Sequence, residues 1–126
     1  RAVAFSPNGQ YVAISHVDRL ITVWDVDTAT VKHVLRGAAW NWAVTFSPDS
    51  RLVAAVTYSF MVRVWEVETG EQIAELQEEG FSGYSSIQFS PDGRWLAAGG
   101  SGNWIVFWET KGFTRKHAGR LSGPSP

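Results

Sequence analysis

The chain has 126 residues, 44% of them apolar and 18% charged, the balance of a core-forming globular chain rather than a disordered one. Its 11 Lys+Arg against 12 Asp+Glu leave a net charge of −1, which argues against a protein that coats nucleic acid. There is no cysteine to form a disulfide framework or a thiolate metal site, and no apolar run approaches the roughly 20 residues of a membrane-spanning helix.

The first expected strand covers residues 2–6. It ends at Ser6-Pro7-Asn8-Gly9, where Pro presets φ for a tight turn and Gly supplies the left-handed position. A second strand is expected over residues 11–15, a third over 20–26 with β-branched Ile21, Thr22 and Val23, and a fourth over 31–35. The same order returns twice, with strands expected over 43–47, 52–56, 61–67 and 72–76, then over 86–90, 95–98, 104–109 and 113–117. Residues 71–79 have a helix-favouring composition. Their counterpart at 30–35 is β-branched, so both are assigned to strand.

The repetition is exact in phase. Phe5-Ser6-Pro7-Asn8-Gly9 returns as Phe46-Ser47-Pro48-Asp49-Ser50 and as Phe89-Ser90-Pro91-Asp92-Gly93, at spacings of 41 and 43. Val23-Trp24-Asp25, Val64-Trp65-Glu66 and Phe107-Trp108-Glu109 keep those spacings, and each Trp stands 19 residues after its Phe. Strands such as Leu20-Ile21-Thr22-Val23-Trp24 are apolar at both parities, as sheets covered on both faces require.

Four-stranded units of this length ending near a Trp-Asp pair resemble the blades of WD-repeat β-propellers, over about residues 1–118. The expected fold is therefore all-β: three four-stranded antiparallel sheets in an incomplete ring. Residues 1–36, 37–77 and 78–118 are the three blades and 119–126 a linker or tail. Trp24, Trp65 and Trp108 are assigned to the core. The buried polar network that the family implies is thin here. Asp18 alone stands six residues before its Trp, Ser59 and Gly102 taking its place in the other units, so at most Asp18, Ser15 and Trp24 form part of it. Ser50 replaces a turn Gly, at a strain on the order of 1 kcal/mol, and Ser50→Gly is expected to stabilise the fold.

Catalytic readings are weak. Ser15, His16 and Asp18 are close in sequence, but alternate residues of a strand point to opposite faces, so three convergent contacts are awkward. His16, His33 and His117 fall in different blade positions without metal-ligand spacing. Gly99-Gly100-Ser101-Gly102 lacks the Lys and the helix of a phosphate loop. Residues 1–110 hold 7 Lys+Arg and 12 Asp+Glu, whereas Lys111, Arg115, Lys116 and Arg120 beyond them meet no acid; four cations fall short of a nucleic-acid-binding block.

The resemblance implies a partner-binding end, where strands begin and where loops precede the third strand. Arg1, Trp42 and Ser85 share one slot there, four residues before each Phe, with Tyr84 beside Ser85. Tyr58 and Ser101 share a second slot, matched by Val17. Trp, Tyr and Arg are the side chains that carry interface energy. Trp40 reads better as packing between blades. The expected function is a cytoplasmic or nuclear protein–protein interaction scaffold, not an enzyme, with no cofactor and no membrane. A regulatory repeat segment of a larger ATPase- or kinase-containing protein is the alternative. Three blades fall below the four to eight of closed propellers, so further blades are expected from the same longer chain or from another subunit.

Overall fold

A computed structural model describes residues 2–16, 20–35, 41–57, 61–77, 84–100 and 104–120; of 41, 42, 57, 84, 85, 104 and 114–120 it describes the backbone alone. Among the described residues, twelve strands form three antiparallel sheets. The first is β1 (Val3–Phe5), β2 (Tyr11–Ser15), β3 (Ile21–Asp25) and β4 (Thr30–Leu35). The second is β5 (Asn41–Phe46), β6 (Leu52–Thr57), β7 (Val62–Glu66) and β8 (Gln72–Leu76). The third is β9 (Tyr84–Phe89), β10 (Trp95–Gly100), β11 (Trp104–Glu109) and β12 (Thr114–Arg120). Each is an up-and-down meander in sequence order, the blade that the repeat implies. The last strand runs past residue 117 to Arg120, into the segment expected to be linker.

The segment of helical composition is strand β8. Ala74 and Leu76 lie half-buried on the core shared with the third blade. On β7, Arg63 meets Glu75 at 3.2 Å and Gln72 at 3.2 Å. Cross-strand packing of this kind outweighs a propensity difference of a few tenths of a kcal/mol per residue.

Each Phe-Ser-Pro turn is tied by the same bonds, which explains the repeated motif. The serine hydroxyl donates to the side-chain oxygen two residues on, at 2.6 Å in Ser6–Asn8, Ser47–Asp49 and Ser90–Asp92. It accepts from the first backbone N–H of the next strand at Tyr11, Leu52 and Trp95. The Asn or Asp oxygen accepts from the N–H of Gln10, Arg51 or Arg94. Gly9 and Gly93 take φ of 76°, and Ser50 is forced to 64° in the same place. A second recurring irregularity is a β-bulge between Val23 and Trp24, Val64 and Trp65, and Phe107 and Trp108.

Two cores lie between the three sheets. Ala13, Ile21, Val23 and Leu35 of the first blade pack against Phe46, Val53, Ala55, Trp65 and Val67 of the second. Ala54, Val56, Val62 and Val64 of the second pack against Phe89, Leu96, Ala98, Val106 and Trp108 of the third. The run Val53-Ala54-Ala55-Val56 thus feeds both cores by strand alternation. Trp65 and Trp108 are buried as expected, whereas Trp24 is half-buried on the outer face of the first sheet.

Candidate functional site

The backbone of Trp42, Tyr84 and Ser85 lies near the starts of β5 and β9, at the end of the sheets opposite the Ser-Pro turns. Trp42 lies inside β5 and Tyr84 and Ser85 inside β9, because both strands begin two residues earlier than the sequence suggested. Arg1, Tyr58, Ser101 and Asp18 lie outside the described residues. The register nevertheless places their neighbours. Asn41 pairs with Thr57, next to Tyr58, and Tyr84 pairs with Gly100, next to Ser101.

Both entry strands are bulged at the same slot. On β5 the pairing passes from Asn41↔Thr57 to Ala43↔Val56, leaving Trp42 as the extra residue. On β9 it passes from Tyr84↔Gly100 to Ser86↔Gly99, leaving Ser85 as the extra residue. A bulge interrupts the alternation of faces and re-aims a residue, and natural sheets place bulges at edges and next to sites. β5 and β9 are also strands that touch between adjacent blades. The repeat therefore sets two bulged positions, Trp42 and Ser85, on neighbouring strands at one end of the molecule. Sequence periodicity located the slot; the bulge itself has no local sequence signal beyond Gly99-Gly100 opposite Ser85.

Ser15 and Trp24, two members of the suggested polar network, are not brought together. Ser15 and Trp24 occupy opposite faces, since Ser15 pairs with Ile21 and Trp24 with Val12. Ser15 Oγ accepts the Ala2 N–H at 2.8 Å, while Trp24 Nε1 donates to Thr22 Oγ1 at 2.9 Å. His16 Nε2 meets the same Thr22 oxygen at 2.8 Å. A Ser-His pair is thereby also broken, because His16 engages Thr22 while buried Ser15 serves the backbone of the first strand. His33, unremarkable in sequence, packs across blades. Its Nε2 lies 3.3 Å from the Glu68 carbonyl oxygen, and a Cβ at Gly70 would stand 2.7 Å from its Nδ1. Gly70 is thus needed both for its φ of 76° and for this approach.

The carboxylates of the turns are shifted. At Asp49 partial burial pushes the pKa up, but the Ser47 hydroxyl, the Arg51 N–H and the Arg51 charge together outweigh it and hold it below the ordinary 3.8. At Asp92 the Ser90 hydroxyl, followed by the Arg94 N–H, holds it below the same value.

Three bulged, four-stranded meanders stacked face to face, with one turn chemistry throughout, define β-propeller blades. The family model described as "WD domain, G-beta repeat" matches residues 1–25, 30–66 and 70–109, and the chain belongs to that WD40 repeat family. Its repeats generally serve as protein-interaction scaffolds and are typically non-enzymatic. Comparison with curated proteins gives no match.

Proposed function

We propose that this chain is a protein–protein interaction module that takes a peptide or protein segment at the bulged ends of β5 and β9. Trp42 and Ser85 form the centre of the site, with Tyr84 beside Ser85 in β9; Arg1, Tyr58 and Ser101, which share the repeat's slots, are assigned to it by sequence position alone. The observation that carries this reading is the recurrence of the bulge at one slot on two touching strands. A Trp there offers large contact area at little conformational cost. The module does no chemistry of its own; the separation of Ser15 from His16 on opposite faces supports that reading.

A selection of displayed random peptides on the immobilised protein tests it. Selected binders are expected to weaken at least tenfold with Trp42→Ala and to keep their affinity with Gln10→Ala, at the opposite end. Binders that follow Gln10, or that follow the sheet-face residues Phe5 and Ile105, would overturn the assignment.

A further inference from the structure

Arg63 places a charge on the sheet face that the first blade covers. It pairs with Ala55, and Ala55 lies in the core that the first two blades share. The same slot holds Thr22 in the first blade and Val106 in the third, and its cross-strand partner Glu75 stands where they have Val34 and Ala118. The ion pair does not account for this exchange. The Glu75 side chain is 44% exposed, and a pair with one solvated member contributes little. The guanidinium is also incompletely used. Nη1 donates to Gln72 Oε1 at 3.2 Å, and Nη2 stands 3.2 Å from Glu75 Oε2. Nε is buried and has no hydrogen-bond partner among the described residues. Buried donors are nearly always satisfied, so an unused one on a charged group needs a reason.

A third neighbour of the guanidinium is Met61, the single methionine of the chain. Its Sδ accepts from Arg63 Nη2 at 3.8 Å. Met61 is half-buried rather than enclosed and stands just before β7, at the end of the sheet opposite the Ser-Pro turns, open to a small oxidant. A thioether is a weak acceptor. Nη2 shares one edge of the guanidinium plane with Nε, and the donors are fixed in that plane. A stronger acceptor carried on Sδ would therefore meet a fork of two donors in place of one weak contact. The other blades have Leu20 and Trp104 in the Met61 slot, with neither thioether nor guanidinium.

We propose that Met61 is a modification site: hydrogen peroxide oxidises its thioether to the sulfoxide, and Arg63 holds the oxygen so formed. The sulfur gives an electron pair to one peroxide oxygen as the O–O bond breaks. An S–O bond forms, and the hydroxide released takes up the remaining proton and leaves as water. The sulfur is oxidised and the peroxide reduced, each by one electron pair. A sulfoxide puts a polar group where an apolar one packed, which disrupts packed regions. Here the new oxygen arises against a cation, and the weak N–H···S contact becomes a charge-assisted N–H···O bond. A methionine sulfoxide reductase returns the thioether. The second blade thus carries a reversible oxidation that its own packing accommodates. Neither Met61 nor Arg63 belongs to the partner site, and the oxidation is read without any binder.

Treatment of the folded protein with hydrogen peroxide tests this, with intact mass and thermal unfolding as the readouts. Wild type is expected to gain one oxygen atom, and Met61→Leu none under the same exposure. Oxidised wild type should unfold within about 2 °C of the reduced form, whereas oxidation of Arg63→Leu should lower its midpoint by about 5 °C or more. Arg63→Lys keeps the charge and loses the Nε edge; its loss on oxidation is expected between the two, and it makes the comparison alone if Arg63→Leu does not fold. Equal losses on oxidation in wild type and in the Arg63 variants would overturn the proposal, because the oxygen would then be unheld. So would a folded wild type that takes up no oxygen at Met61.

Discussion

The second blade and its neighbours share topology, turns and bulges, yet they differ in what covers them. Trp65 in the second blade is 1% exposed, while Trp24, in the same slot of the first, is half-buried. Nothing in the immediate sequence separates Val64-Trp65-Glu66 from Val23-Trp24-Asp25. The difference comes from the neighbouring sheet: Trp65 has the first blade against it, and Trp24 faces outward. Burial in a stacked repeat is a property of the interface between units rather than of the unit, so the same residue contributes differently at each position.

Replacement of the two tryptophans should expose this difference at its largest. Trp65→Ala removes a fully enclosed indole and is expected to cost about 3 to 5 kcal/mol. Trp24→Ala removes an indole that is only half-buried and should cost about 1 to 2 kcal/mol, in line with its smaller buried area. Urea unfolding measures both. Equal losses would mean that the indole stabilises its own sheet rather than the contact between sheets.

The repeat made most of the fold legible. Two motifs in phase fixed the strand order, the number of sheets and the turn chemistry, because each turn is closed by residues within a few positions of one another. The polar network was not legible, because it depends on parity. Ser15 and Trp24 look compatible in a linear motif, but the Ser15↔Ile21 pairing puts them on opposite faces. The His33–Gly70 approach joins residues on different blades and has no local signature. At the candidate site the slot shared by Trp42 and Ser85 followed from spacing alone. Its bulge followed only from the pairing register, which one-dimensional periodicity does not contain.

The three turns provide a finer comparison, since the first uses Asn8 where the others use Asp49 and Asp92. Both carboxylates are held below 3.8, so the ionised forms are favoured in the folded state. Their contribution is complete above the unfolded value and is lost as pH falls through the lower folded value. An Asn retains the accepting oxygen and does not titrate, as Asn8 does with Ser6 and Gln10. The double variant Asp49→Asn, Asp92→Asn should therefore lose less stability than wild type as pH falls below the ordinary carboxylate value of about 4. Urea midpoints against pH test this; parallel curves for the two proteins would show that these turns do not contribute to acid sensitivity.

The smallest expected effect lies at Ser50, where two opposing terms meet. Its φ of 64° is the strained place that Gly9 and Gly93 fill in the other turns, and relief by Ser50→Gly is worth on the order of 1 kcal/mol. The side chain is buried, however, and its hydroxyl accepts the Asn8 N–H from the first blade at 3.1 Å. Losing a bond of this kind costs about 0.5 to 1.5 kcal/mol. The gain that the sequence suggested should therefore cancel, leaving Ser50→Gly within about half a kcal/mol of wild type. Ser50→Ala separates the terms, because it keeps the strain and removes only the acceptor; a loss of about 1 kcal/mol is expected. Should Ser50→Gly raise stability by the full strain energy, the hydroxyl contributes nothing between the blades. If the terms cancel, Ser50 is a polar tie between the first and second blades that the second and third do not have, since Gly93 at the same slot carries no hydroxyl.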